Sequence, residues 1–137
     1  MGQQQLLLII LGVIIVGVAI SVGIAMYNDH LISVNRDNVQ QDLVMLAVQA
    51  EHFAALPQSM GGGGRSFVGL TADAAGMLKI SSAEFINNEN GTYTIQTAGT
   101  SALVILQGVG KVALPDGTFP TYYCRVRDRK YLMQTIN

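Results

Sequence analysis

Few side chains in this sequence are able to do chemistry, and their spacing assembles no recognised catalytic or metal site. The two histidines are His30 and His52, and the pair Glu51-His52 lacks the second histidine of an H-E-x-x-H motif. Serine, histidine and aspartate all occur, but no strained-turn motif nominates a nucleophile. Cys124 is the only cysteine, which excludes an internal disulfide and a paired-cysteine metal site. We therefore expect no enzyme activity, cofactor or metal centre.

Four consecutive glycines, Gly61–Gly64, stand before Arg65-Ser66 and invite comparison with a phosphate-binding loop. The run lacks the G-x-x-x-x-G-K-[ST] pattern and a preceding strand. We interpret it as a flexible loop.

The triplet Asn90-Gly91-Thr92 matches the acceptor pattern for N-glycosylation. An exposed turn is the right context for a glycan, and Asn-Gly is also a common turn sequence. Two interpretations therefore stay open, a glycan on Asn90 or a plain hairpin turn.

The segment Arg125–Lys130, RVRDRK, places four basic residues in six positions. Its partner is either an anionic surface such as DNA or the acidic helix surface of a neighbouring copy. The chain has a net charge of −1, which gives no broad attraction to nucleic acid, whereas residues 28–56 carry −3 (one Arg against four Asp or Glu). We favour the second partner and predict no specific nucleic-acid binding. The inter-subunit charge candidates are Asp29, Asp37, Asp42, Arg125, Arg127 and Arg129.

None of the 17 charged residues (8 basic and 9 acidic) precedes Asp29. The segment Leu6–Met26 has 21 residues with Ser21 as its only polar side chain. As a helix it would be roughly 31 Å long, close to the thickness of a bilayer core. A cleaved secretory signal is disfavoured because the apolar run exceeds about 15 residues, no basic residue precedes it, and no small-residue cleavage site follows it.

The helix is predicted to continue past this segment. Residues 28–56 contain no proline or glycine, and apolar residues recur at helical spacing until Pro57 prevents continuation. We predict one helix over about residues 6–56. Residues 1–28 form its hydrophobic half and residues 29–56 its amphipathic half. The apolar positions of the second half are Ile32, Val39, Leu43, Leu46, Ala50 and Phe53.

Residues 57–137 are predicted to form a globular head with a small antiparallel β-sheet. A short helical turn is expected around residues 72–78, and turn sequences separate segments rich in β-branched and aromatic residues. About 80 residues form a marginal core alone, so we expect the sheet to pack on the C-terminal half of the long helix. The fold class is α+β. The predicted strands are Thr92–Ala98, Ala102–Val112, Thr118–Val126 and Lys130–Ile136.

Together these features resemble the type IV pilins. The resemblance rests on the polar pentapeptide MGQQQ, about twenty apolar residues, one long helix and a short antiparallel sheet. It implies that a prepilin peptidase removes a basic leader and N-methylates the new terminus, after which the apolar half-helix leaves the membrane for the filament core. We expect Met1 to be the mature terminus. Cleavage after Gly2, which would leave Gln3 first, is the alternative.

The sequence departs from the family pattern at its fifth residue. Pilins usually carry a glutamate there, thought to neutralise the terminal amine of a neighbour, whereas this chain has Gln5 within a run of three glutamines. An amide still accepts a hydrogen bond from an ammonium and costs less to bury than a charge. The disulfide-bounded loop of many pilins is excluded by the single cysteine. The residues implied in processing and assembly are Met1, Gln5, Leu6, Ile10, Ile14, Ile15 and Gly17.

The resemblance implies a structural role, the major subunit of a bacterial extracellular filament that polymerises through its hydrophobic helix. Its partners would be further copies of itself and the assembly machinery, namely a prepilin peptidase, a platform protein and an assembly ATPase. The chain would reside in the inner membrane before assembly and at the cell surface afterwards. Two alternatives remain, a pseudopilin of type II secretion and a single-pass membrane-anchored binding domain.

Overall fold

The computed structural model describes residues 2–137, and it contains one long helix, two short helices and four strands. Helix α1 spans Gly2–Ala55. A 3-10 turn at Gln58–Met60, helix α2 at Ala74–Leu78 and helix α3 at Ala83–Ile86 follow. The chain divides into two compact units, one ending at Ser33 and the other comprising Val34–Asn137. The strands are β1 (Gly91–Thr97), β2 (Leu103–Gly110), β3 (Thr121–Arg127) and β4 (Lys130–Thr135).

The predicted α+β fold class is confirmed. The four strands form one antiparallel sheet in the order β1-β2-β3-β4, so each strand pairs with its neighbour in sequence. A register shift interrupts the β1–β2 pairing between Ile95 and Thr97. Each predicted strand overlaps an observed one, and the predicted helical turn around residues 72–78 corresponds to α2.

The amphipathic half of α1 supplies one side of the core in the unit of residues 34–137. Its predicted apolar positions from Val39 to Phe53 are buried, whereas Ile32, in the preceding unit, is only half-buried. Alternate residues of β1, β2 and β3 cover the other side of this core, including Tyr93, Leu106 and Tyr122. Each fully buried large apolar side chain contributes about 1.5–3 kcal/mol, so this packing is the main source of the unit's stability. The helical residues in this core cluster are Val39, Leu43, Leu46, Ala47, Ala50, Phe53 and Ala54.

The short helix α3 was not predicted. The composition of the chain beyond Ser82 favours strands, so the sequence pattern gives no indication of this helix, although Ser82 is a favourable N-cap residue. Its hydroxyl accepts a hydrogen bond from the Phe85 amide at 3.3 Å. Asn90-Gly91 accordingly joins a helix to a strand, and Gly91 begins β1 without a positive φ. A glycine is required at position 91 because a Cβ there would lie 2.5 Å from the Val109 carbonyl oxygen of β2.

The glycine run caps the C-terminal end of α1, which differs from the flexible loop predicted from sequence. The amides of Gly63, Gly64 and Arg65 donate to the carbonyls of Phe53, Leu56 and Ala54 at 2.9, 2.9 and 2.7 Å. These bonds satisfy carbonyls that a helix leaves unpaired at its end. Because Pro57 stops the helix, the chain turns back over the last turn instead of continuing it.

We expect Gly63→Ala to destabilise the unit of residues 34–137 by about 2 kcal/mol or more. A Cβ at position 63 would overlap the Ser66 carbonyl, so the capping segment would have to shift. Ser59→Ala, at an exposed position of the same connection, is the matched control and should stay within about 0.5 kcal/mol. Urea unfolding followed by circular dichroism measures both. Equal stability of the two variants would show that the cap is not tightly packed.

Candidate functional site

The most distinctive surface of the chain is the apolar half of α1, in the unit that ends at Ser33. Its large aliphatic side chains between Leu6 and Met26 are 49–67% exposed, on every side of the helix. An 18-residue window has a mean hydropathy of 3.1 and no buried residue, so the helix is long and apolar enough to cross a membrane. Water is a poor solvent for such a surface, and a helix that is apolar all round is normally covered by lipid or protein.

The one polar side chain inside this segment is satisfied within the helix. The Ser21 hydroxyl lies 3.0 Å from both the Gly17 and the Val18 carbonyl oxygens. Bonds of this kind let a serine reside in an apolar environment without an outside partner. No side chain between Leu6 and Met26 therefore needs a hydrogen bond from water.

The predicted assembly residues of this half lie on the exposed helix, except Met1, which is outside the described residues. Gln5 is exposed with Gln3 and Gln4 in the first turns of α1. A Cβ added to Gly12, Gly17 or Gly23 would meet nothing within 4 Å, so these glycines leave open space on a single chain. Small residues of this kind let a neighbouring helix approach closely in apolar helix packing. The other assembly residues exposed on the helix are Leu6, Ile10, Ile14 and Ile15.

The six predicted inter-subunit charges do not share one environment. Asp29 and Asp37 are exposed on α1, and Arg125 and Arg127 are exposed on β3. Asp42 is different because its carboxylate is engaged inside its own chain. The Asp42 Oδ2 accepts hydrogen bonds from Tyr93 Oη at 2.6 Å, Asn88 Nδ2 at 2.9 Å and Asn90 Nδ2 at 3.0 Å. Asp42 therefore links α1 to the start of the sheet, a role that the charge pattern did not reveal.

The phenol of Tyr93 is fixed as a donor to this carboxylate. Burial raises the pKa of Tyr93 well above its ordinary value, and the hydrogen bond to Asp42 raises it further. The Tyr93 ring is fully buried and stacks on Phe85 with centroids 5.9 Å apart. Asn35 makes a second polar link, because its Nδ2 donates to the Asn90 carbonyl at 2.8 Å. These bonds fix the register of α1 against the sheet.

Asn90, the predicted glycosylation residue, lies within the same polar cluster. Its Nδ2 donates to Asp42, its Oδ1 accepts from Asn38 Nδ2 at 3.3 Å, and the side chain is half-buried. A glycan would be attached to the Nδ2 that makes the bond to Asp42. The geometry in the folded chain therefore favours the plain turn over the glycan.

A cavity of about 650 Å³ opens beside the C-terminal end of α1, within the unit of residues 34–137. We call it the α1-end cavity. Arg65 and Arg129 line it, and they are the two non-glycine residues with positive φ in the part of the chain that the structure describes, at 65° and 58°. Such a conformation costs roughly 1–2 kcal/mol for a residue with a Cβ. The other lining residues are Val48, Glu51, His52, Ala54, Ala55, Phe67, Ser101 and Asp128.

Sequence reasoning missed this cavity, and no local signal would have found it. Its walls come from the end of α1, the segment after the glycine run, the β1–β2 connection and the β3–β4 turn. His30 is exposed on α1, and His52 is an exposed member of the cavity wall. Within residues 2–137, no group of three or more His, Cys, Asp or Glu side chains is placed to hold a metal ion.

Cys124 is buried on the inner face of β3, where burial and, to a smaller extent, the nearby charge of Glu51 raise its pKa to about 11. At pH 8 this shift from 9.0 lowers the thiolate fraction by roughly 100-fold, and the thiolate is the reactive form. We expect a maleimide to label the folded chain at least about 100-fold more slowly than the chain in urea. Labelling at the same rate in both conditions would contradict the buried position.

Comparison of the chain with models of known protein families, with curated proteins and with solved structures found no match. The resemblance to type IV pilins therefore stays a prediction. A long apolar N-terminal helix combined with a small antiparallel sheet is compatible with that architecture, and the helix could anchor the chain in a membrane.

Proposed function

We propose that this protein is the structural major subunit of a bacterial, extracellular filament of the type IV pilus kind. One observation carries the proposal. The exposed apolar surface of Leu6–Met26 continues, in one unbroken helix, into the stripe that forms the core of the unit of residues 34–137. A membrane anchor can be joined to its folded head by a flexible linker. In a polymer, a continuous helix would hold each head at a fixed position relative to the helices packed along the filament axis.

Self-association through the apolar half gives the largest free-energy gain that the chain offers. Relative to exposure in water, half-burying the 15 large apolar side chains of Leu6–Met26 contributes about 0.75–1.5 kcal/mol each, or roughly 11–23 kcal/mol per copy before entropic costs. Exposed charge pairs contribute about 0–1 kcal/mol each, so they set register and do not hold the filament together. A contact between different surfaces of identical copies generates a helical fibre when its rotation does not close into a ring.

The proposal includes a processing and assembly route that rests on the resemblance. The chain resides in the inner membrane with its apolar helix in lipid, a prepilin peptidase methylates its terminus, and a platform protein and an ATPase drive its extraction. Gln5 then offers a neutral hydrogen-bond acceptor to the terminal amine of a neighbour. Its amide keeps the polar tip of the helix free of a side-chain charge when it is buried.

A single-pass membrane-anchored binding domain is the second candidate, and the span-length apolar helix together with the α1-end cavity supports it. Shearing cells that express the chain separates the two candidates. We expect most of the mature protein in the sheared surface fraction, as long fibres. Retention of the whole population in the detergent-soluble membrane fraction would support the anchored domain. Scarce, short assemblies that stay in the periplasm would support a type II secretion pseudopilin.

A further inference from the structure

The α1-end cavity includes one of the predicted inter-subunit charges, Arg129, whereas its other charged residues have no part in the proposed filament contacts. Its chemistry points to a ligand. We propose that it binds a small zwitterion, an apolar α-amino acid. The ligand carboxylate lies against Arg65 and Arg129, its ammonium lies near Glu51, and its side chain lies on the apolar part of the wall. This site would operate on the head whether or not the chain forms filaments.

The first observation concerns the two arginines. Arg65 and Arg129 come from distant segments, yet both adopt left-handed backbone and both line this one cavity. Arg129 is the second residue of the two-residue β3–β4 turn, since Arg127 pairs with Lys130, and left-handed backbone at that position is a turn geometry. A glycine or asparagine would adopt the same backbone more readily. Two planar guanidinium groups at one cavity are the donors that a carboxylate binds best.

The second observation concerns Glu51. This residue lies in the same wall, and its Oε1 is shielded from water without a hydrogen-bond partner. A cation in the cavity would not contact Oε1, because water does not reach that oxygen, but it would stabilise the charge of the half-buried Glu51 through space. The wall thus presents two cationic groups, from Arg65 and Arg129, and two anionic groups, from Glu51 and Asp128. A ligand that carries both signs matches this wall better than a simple anion or a simple cation.

The third observation concerns size and apolar surface. A volume of about 650 Å³ falls within the range of small-molecule sites. Val48, Ala54, Ala55 and Phe67 contribute aliphatic and aromatic surface next to the charged groups. This surface suits a short aliphatic side chain, which would gain hydrophobic burial in addition to the two charged contacts.

Calorimetry on the full chain in detergent micelles tests the proposal with three probes of similar shape. The probes are L-leucine, 4-methylpentanoate, which lacks the ammonium, and 3-methylbutylamine, which lacks the carboxylate. We expect leucine to bind at least about tenfold more tightly than either single-charge probe. Equal affinities for the three probes, or no binding of leucine at about 10 mM, would overturn the proposal.

Two variants assign the charged contacts. Glu51→Gln is expected to lower the affinity for leucine about tenfold, to that of 4-methylpentanoate, and to leave 4-methylpentanoate binding unchanged. Arg129→Gln is expected to lower the affinity for leucine to that of 3-methylbutylamine. This second variant keeps the test decisive if Glu51→Gln does not fold. Arg125→Gln is the matched control, because Arg125 is exposed on β3 and does not line the cavity. Equal losses from Arg125→Gln and Arg129→Gln would show nonspecific charge attraction and overturn the site.

These measurements are independent of assembly. The micelle keeps the apolar half of α1 covered, so no filament is needed for binding. Loss of filaments in a surface assay would contradict the proposed function and leave the cavity proposal standing. Absence of leucine binding would contradict the cavity proposal and leave the proposed filament function standing.

Discussion

Replacing Ile14 with aspartate is expected to abolish filaments. Ile14 lies in the middle of the apolar segment and is 57% exposed on the single chain, so any partner helix that covers the segment would bury the new carboxylate. A buried carboxylate without a partner costs several kcal/mol, and this cost recurs in every copy. Electron microscopy of sheared surface material, with an immunoblot of the membrane fraction, measures the result.

Two controls separate loss of assembly from loss of the protein. Gln41→Asp adds the same charge at an exposed position of the amphipathic half of α1 and should leave filaments in normal amount. Ile14→Leu keeps the apolar character and should also assemble. We expect the Ile14→Asp chain in the membrane fraction, because the remaining apolar residues still favour insertion. Abundant, normal filaments from Ile14→Asp would contradict the proposed function.

Replacing Asp42 with alanine is expected to destabilise the unit of residues 34–137 by about 2–4 kcal/mol. The change removes the acceptor of three hydrogen bonds at once, from Tyr93, Asn88 and Asn90. The buried phenol of Tyr93 then loses the acceptor of its hydroxyl proton, which is costlier than losing an exposed bond. Urea unfolding of the full chain in micelles, followed by near-ultraviolet circular dichroism, reports the difference.

The matched control for this variant is Asp37→Ala. Asp37 carries the same charge on the same helix but is exposed, so its loss should change stability by less than about 0.5 kcal/mol. Equal effects of the two substitutions would show that net charge, and not the hydrogen-bonded cluster, accounts for the result. If Asp42→Ala leaves the free energy of unfolding unchanged, Asp42 does not stabilise the contact between α1 and the sheet.

The parts of the fold predicted from sequence are those governed by local periodicity. The spacing of Val39, Leu43 and Leu46 identifies a buried helical face, because residues three and four apart share one side of a helix. Pro57 marks the end of the helix, since it removes a donor and clashes with the preceding turn. The strands were found in the same way, from β-branched and aromatic segments between turn sequences.

The parts that were missed depend on contacts between distant residues. Asp42 meets Tyr93 and Asn88 only after the sheet packs on α1. The sequence pattern alone therefore indicates an exposed charge that is free to contact another subunit. The capping role of Gly63 depends on the carbonyl of Phe53, which the glycine run does not reveal. The α1-end cavity needs four chain segments to meet, and the left-handed conformation of Arg129 has no sequence signal, since arginine is not typical of that backbone.

The central claim is that the apolar half of α1 is covered by copies of itself. Electron cryomicroscopy of the sheared surface fraction tests it most directly. We predict a helical fibre built from this chain, with the Leu6–Met26 helices of many copies bundled along the axis, out of contact with water. A surface fraction without such fibres, with the chain recovered from the membrane as a monomer in detergent, would contradict the claim.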